Sequence, residues 1–164
     1  MPINTIERLF VEELKDLYSA ENQITKALPK LVKTATSPEL KQALQDHLHE
    51  TQEQIERLEK ICEMLGASPK GKSCEGMKGV LEEGSTSLSE VDKGDLRDAA
   101  LISAAQRVEH YEIAAYGTVR SYAELLGRSE IADLLEKTLE EEKAADQKLS
   151  SISEEVNARA QEVA

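Results

Sequence analysis

The sequence predicts an all-α protein built as a bundle of four long helices, and three observations support this fold class. Ala, Leu, Glu, Lys and Gln, which all favour helices, dominate the composition. Apolar residues recur every three to four positions in four long segments. β-Branched residues never gather into a strand-like run. A chain of 164 residues suits one domain, residues 1–164, whose core needs no disulfides.

The first two segments predict a helical hairpin with a short loop. The first helix is expected over residues 5–33 and the second over residues 38–65. Ser37 and Pro38 form a typical N-cap and first-turn pair for the second helix, and Gly66 is the expected stop.

A long crossover then leads to a second hairpin. Residues 66–94 hold six of the eight glycines and are predicted to contain one short helix near 75–88. Asp95 is the expected cap of a helix over 95–126, and the last helix is expected over 129–156. Two antiparallel hairpins joined by one long crossover are typical of the ferritin-like four-helix bundle.

Charge and cysteine content narrow the range of partners. The formal net charge is −12, from 32 acidic and 20 basic side chains, which disfavours nucleic acids and anionic membranes. No apolar run is long enough to span a bilayer and no signal-peptide pattern opens the sequence, so we expect a cytoplasmic protein. Two cysteines do not make a disulfide framework.

Each of the four long helices carries a glutamate at or beside its inner stripe: Glu21, Glu50, Glu112 and Glu142. Glu21 and Glu50 lie about 15 residues either side of the first hairpin loop, and Glu112 and Glu142 lie about 15 residues either side of the second. At about 1.5 Å per residue, we expect all four at one level, roughly 22 Å from the loops.

A second layer of candidates lies one turn away. Glu109 and Asp146 are about 18 residues from the centre of the second loop. Four further residues are weaker candidates: His47, Glu53, His110 and Glu141. Glu53 and Glu141 are also explained as solvated flanks, and His47 as a hydrogen-bonded core residue.

Several buried carboxylates at one level repel each other unless cations lie among them. Oxygen ligands from facing helices suit iron, with manganese as the alternative, and a bundle of this kind holds two ions. The usual Glu-x-x-His units of di-iron bundles are not intact. The position three residues after Glu50 is Glu53, and the position three residues after Glu142 is Ala145, so neither is histidine. The predicted centre is therefore rich in carboxylates and poor in histidine.

Long runs of the sequence resemble a known family. They are LYSAENQ at 17–23, HLHET at 47–51, AAQRVEHYEIAAYG at 104–117 and TLEEEKAAD at 138–146. These runs resemble the YciF/YciE family of bacterial stress-associated, ferritin-like proteins. The resemblance implies a homodimer, a role in stress response and kinship with rubrerythrin-like di-iron proteins, and it implies no established reaction.

Three functions stay open at this point. The first is a di-iron or di-manganese oxidoreductase, rubrerythrin-like or catalase-like, that reacts with oxygen or peroxide. The second is a protein that sequesters metal with little turnover. The third is a structural or adaptor bundle whose carboxylates hold no metal.

Overall fold

A computed structural model describes residues 2–162 of the chain. Those residues form five α-helices and no strand, so the all-α prediction is confirmed. The helices are α1 (Ile6–Thr34), α2 (Pro38–Met64), α3 (Glu75–Ser89), α4 (Asp95–Leu125) and α5 (Ser129–Glu162).

Local sequence signals set most helix ends. The Thr5 hydroxyl accepts a hydrogen bond from the third residue of α1, and Ser37 caps α2 in the same way. Gly66 and Gly127 follow α2 and α4 with φ of 65° and 69°, a left-handed conformation that suits glycine.

Two helix ends differ from the sequence prediction. Gly94, rather than Asp95, is the N-cap of α4, and Asp95 is the first helical residue. Asp95 Oδ1 instead accepts a 2.9 Å hydrogen bond from Arg159 Nε on α5. That contact lies near the end of α5, which runs to Glu162 and so passes the predicted end at residue 156.

Specific contacts define the topology of the bundle. The start of α4 meets the end of α1, because Asp98 accepts hydrogen bonds from the backbone that follows α1, while Tyr116, farther along α4, contacts Glu21 in mid-α1. These two helices are therefore antiparallel. The other two long helices, α2 and α5, are in contact with each other, and Arg57 on α2 donates a hydrogen bond to Thr138 on α5. The ferritin-like arrangement follows, with α3 lying across α4 and α1.

The apolar core has two parts, one towards each end of the bundle. One cluster includes Ile24, Leu44 and Leu149, and lies on the side of the α1–α2 loop. The other includes Leu17 and Leu58, and lies on the side of the α4–α5 loop. On each long helix, the switch from one cluster to the other occurs across a short polar segment at mid-height.

None of the helices within residues 2–162 is both long enough and apolar enough to cross a membrane.

Candidate metal centre

The polar layer between the two apolar clusters is a set of buried carboxylates. Glu21 from α1, Glu109 and Glu112 from α4, and Glu142 from α5 all have an exposed fraction of 1% or less. Glu109 and Glu112 are one turn apart, so they share a face of α4. The helical period therefore places four glutamates in a region that water does not reach.

These carboxylates form two overlapping groups with one histidine. His47, Glu109 and Glu142 offer ligand atoms that lie within 4.8 Å of one another, and so do Glu21, Glu112 and Glu142. Glu142 belongs to both groups. The two candidate ligand groups therefore have one carboxylate in common.

Most polar atoms of the cluster have no hydrogen-bond partner. Both oxygens of Glu112 and of Glu142 are unsatisfied, and so are both ring nitrogens of His47. The His47 Nε2 atom lies 3.0 Å from Glu109 Oε1, within ion-pair distance, but the ring is not aligned for a hydrogen bond. Buried polar groups normally find partners, so this many unsatisfied atoms call for an explanation.

Burial is also the main cause of the raised pKa values of the clustered carboxyl groups. It raises the pKa of Glu21 to about 8, with the charge of Glu142 adding to the effect. It raises the pKa of Glu109 to about 7, where proximity to Glu142 opposes the shift. The pKa values of Glu112 and Glu142 lie well above the ordinary range for the same reason.

Tyr116 supplies a hydrogen bond to the cluster from within the bundle. Its hydroxyl donates to Glu21 Oε1 at 2.6 Å, and its side chain is fully buried. Burial and the neighbouring carboxylates raise the pKa of Tyr116 well above its usual value, so it stays a donor at physiological pH.

Of the four glutamates predicted to share one level, Glu50 alone belongs to neither of the two ligand groups. It is half-buried, and on α2 His47 takes its place. The buried positions of α2 run through Leu44, His47, Thr51 and Gln54, the spacing of one helix face. Glu50 directly precedes Thr51 and therefore points about 100° away from it around the helix. Burial nevertheless raises its pKa.

Asp146, the other second-layer candidate, faces the surface side of the α4–α5 pair. Its Oδ2 lies 3.1 Å from His110 Nε2, and His110 is 68% exposed. Its Oδ1 accepts from Gln106 Nε2 at 3.3 Å. Asp146 thus has partners of its own, although it is near enough for its charge to raise the pKa of Glu109.

The remaining weaker candidates form ion pairs away from the cluster. Glu53 is exposed and pairs with His49 at 3.4 Å. Glu141 pairs with Arg57 at 2.7 Å between α5 and α2. Neither glutamate belongs to the two ligand groups.

Arg57 is the residue of this region that sequence reasoning missed. It is 9% exposed, and its Nη1 atom donates to both Thr138 and Glu141. A signal was present, because Arg57 follows the buried Gln54 by three residues, which is the spacing of a core-facing position. A charged residue at such a position needs a buried partner.

Comparisons with known proteins agree with this architecture. The family model described as "Domain of unknown function (DUF892)" matches residues 5–162. Protein YciF of Escherichia coli strain K12 is 47% identical over 154 residues, covering 93% of this chain and 93% of that protein.

Solved structures extend the comparison. The crystal structure of the E. coli stress protein YciF matches with a TM-score of 0.91 at 45% identity, covering 95% of this chain and 99% of that one. YcfI of Rhodopseudomonas palustris, for which a structural role has been suggested, matches with a TM-score of 0.88 at 47% identity, covering 90% and 94%.

A more distant match supports the fold alone. Ferritin-like, diiron-carboxylate proteins from Bacillus anthracis match with a TM-score of 0.71 at 14% identity, covering 92% of this chain and 99% of that one. The resemblance to the YciF/YciE family seen in the sequence is confirmed. Because the family model spans nearly the whole chain, the chain belongs to the DUF892 family, and at almost half identical residues it is a relative of YciF.

Proposed function

We propose that this chain is a metal-binding stress protein that holds two ions, iron or manganese, in its buried carboxylate layer and reacts with oxygen or peroxide. The single observation that carries the proposal is the pair of ligand groups that share Glu142. One ion would be held by His47, Glu109 and Glu142, and the other by Glu21, Glu112 and Glu142.

The unsatisfied atoms support a fit between these residues and such ions. Carboxylates that lack any hydrogen-bond donor, and a histidine whose two ring nitrogens lack a partner, are costly to bury. Coordination by cations would satisfy them together. Oxygen ligands with one imidazole suit iron or manganese, and the absence of Cys from the set makes zinc a poorer match.

Bound iron or manganese would supply the electron exchange and polarising charge that reduction of oxygen or peroxide requires. The chain's own residues supply the setting for that chemistry. The apolar cluster on either side of the layer excludes bulk water. The Tyr116 hydroxyl fixes the orientation of Glu21 through its 2.6 Å hydrogen bond.

Protons must leave the layer when metal enters it. Glu21 and Glu109 have pKa values of about 8 and about 7, so both carry protons for much of the time near neutral pH in the metal-free protein. Ligation requires the ionised form, and binding therefore releases protons and strengthens as pH rises.

The role in stress response rests on the relatives. The E. coli protein is described as a stress protein and matches this chain along nearly its whole length. A buried centre that consumes peroxide would suit that role.

Peroxide consumption by iron-loaded protein tests the proposal. We expect protein loaded with Fe²⁺ without oxygen, freed of loose metal and supplied with an added two-electron reductant, to reduce each peroxide to two waters over many turnovers, with the reductant consumed one for one. Glu112→Gln should abolish the activity, whereas Glu53→Gln, which changes an exposed glutamate in the same way, should retain it. Metal binding without consumption would instead indicate a sequestering protein.

A metal-free scaffold is the second candidate, and one observation favours it. Glu21 and Glu112 have carboxylate oxygens within 4.8 Å of each other, and so have Glu109 and Glu142, and the raised pKa values of all four groups favour protonated carboxyls. Protonated pairs of this kind would hold the three helices α1, α4 and α5 together without metal. This candidate predicts that chelators leave the melting temperature unchanged, whereas a native-state metal raises it.

A further inference from the structure

A groove between α1, α3 and α4 lies outside the carboxylate layer. It encloses a cavity of about 320 Å³, at the lower end of the range for small-molecule sites. Its lining is mainly apolar and includes Leu31 from α1, Val80 and Leu81 from α3, and Ala105 and Val108 from α4. An apolar cavity of this size indicates a ligand with an apolar body.

The charges around this groove are opposite to those of the protein as a whole. The chain has 32 acidic and 20 basic residues, yet the residues that line the groove include Lys26, Lys30 and Arg97 and no acidic side chain. Within residues 2–162, Lys26 and Lys30 form no ion pair. The groove therefore offers positive charge that no neighbouring carboxylate neutralises.

The Arg97 guanidinium is held in place by a backbone carbonyl group. Its Nε atom donates to the Val91 carbonyl oxygen at 2.9 Å, and Nη2 donates to the same oxygen. The Nη1 atom donates to none of the described residues. A fixed guanidinium with a free edge suits an oxygen-bearing anion.

We propose that this groove binds a medium-chain fatty carboxylate, with its head group at Lys26, Lys30 and Arg97 and its alkyl tail along the apolar lining. If each methylene takes roughly the 30 Å³ of a water molecule, the cavity holds a tail of about ten carbons. This site does not depend on metal, and the inference goes beyond the proposed function.

The groove adjoins a second cavity. A smaller cavity of about 30 Å³ shares Leu81 and Val108 with the groove and is also lined by His47 and Glu109. The smaller cavity therefore lies between the groove and the His47 side of the carboxylate layer.

Calorimetric titration of the metal-free protein tests the head group and the tail separately. The probes are decanoate, decanol and decyltrimethylammonium, each below its micelle concentration, with butyrate as the short-tail comparison. We expect one decanoate per chain, bound at least about ten-fold more tightly than decyltrimethylammonium and butyrate. Equal affinity for the anionic and cationic decyl compounds would overturn the proposal.

Two single substitutions on α1 make a matched pair. Lys30→Glu reverses a charge that lines the groove, and Lys33→Glu makes the same change at an exposed lysine outside the lining. We expect decanoate affinity to fall about five-fold in the first variant and to change less than two-fold in the second. Equal losses of decanoate affinity in both variants would show that only the net charge of the protein matters, and would contradict the proposal.

A second copy of the chain is the competing occupant of the groove. Light scattering with size-exclusion chromatography would detect it as a dimer that Lys30→Glu dissociates. That result, together with no binding of decanoate to the wild-type protein, would also overturn the proposal.

Discussion

The Tyr116 hydroxyl donates a 2.6 Å hydrogen bond to Glu21 Oε1, joining α4 to α1 at the level of the carboxylate layer. Both side chains are fully buried, so water does not compete with the bond. It also opposes the effect of burial on Glu21 by lowering the pKa of that carboxyl group. Tyr116 therefore prepares Glu21 for the ionised form that a metal ligand must take.

Replacing this donor should weaken metal binding without disrupting the core. Tyr116→Phe removes a hydrogen bond to a charged group and keeps the ring, so we expect Mn²⁺ affinity at pH 7 to fall about ten-fold. Competition titration against a chelator measures the change. Tyr122→Phe, which removes a hydroxyl from a half-buried tyrosine elsewhere on α4, should leave affinity unchanged.

The same affinity loss in both tyrosine variants would show that the hydroxyl at Glu21 has no special role.

The metal-free protein should lose stability as pH rises from about 4.5 to 8. Glu21 and Glu109 titrate near their ordinary value of 4.5 in the unfolded chain, but at about 8 and about 7 in the fold. Between these values the folded state binds more protons, so the free energy of unfolding falls with pH, by an amount on the order of a few kcal/mol.

Urea unfolding of chelated protein at several pH values measures this dependence. Glu112→Gln should flatten the profile, because it removes one of the carboxylates that repel each other. A metal-free stability that rises between pH 5 and 8 would contradict the burial of ionisable groups in this layer.

Asp98 should stabilise the fold independently of metal. Its two oxygens accept hydrogen bonds from the backbone N–H groups of Thr36 and Ser37 at 2.8 and 2.7 Å, and its side chain is fully buried. Asp98→Ala would leave both donors unsatisfied, and we expect a loss of about 3 kcal/mol in the free energy of unfolding. The exposed Asp92→Ala change should cost less than about 0.5 kcal/mol.

Equal melting of the Asp98 and Asp92 variants would show that the α1–α2 loop is held by other contacts.

The sequence carried enough information for the fold class because the signals are local. Caps such as Ser37, stops such as Gly66 and the period of the apolar residues depend on near neighbours along the chain. The prediction of Asp95 as the cap of α4 is wrong by one residue: Gly94, with φ of 104°, is the cap, and the Asp95 side chain contacts Arg159, a residue 64 positions away. Long-range contacts of this kind leave no local signal.

The ligands of the candidate centre were less predictable, because the sequence gives the level of a side chain along the bundle more reliably than its direction around the helix. Counting residues from the loops gives the level of Glu50 but not its direction around α2. His47 and Thr51 follow the buried face, and Glu50 lies beside it. A one-residue offset turns a side chain by about 100°, which is enough to move a carboxylate out of a ligand group.

His47 and Glu50 therefore give opposite predictions for two variants. We expect His47→Gln to reduce bound metal by about one ion per chain, because His47 belongs to one ligand group only. Glu50→Gln should retain both ions, and elemental analysis of purified protein measures the count. Loss of metal in Glu50→Gln with none in His47→Gln would favour the ligand set predicted from sequence.

Anomalous X-ray diffraction from crystals grown with Fe²⁺ or Mn²⁺ tests the central claim most directly. The account predicts two anomalous peaks per chain, one among His47, Glu109 and Glu142 and one among Glu21, Glu112 and Glu142. Crystals from metal-supplemented solution with no peak in this layer, and with the four carboxyl groups paired through shared protons, would contradict it.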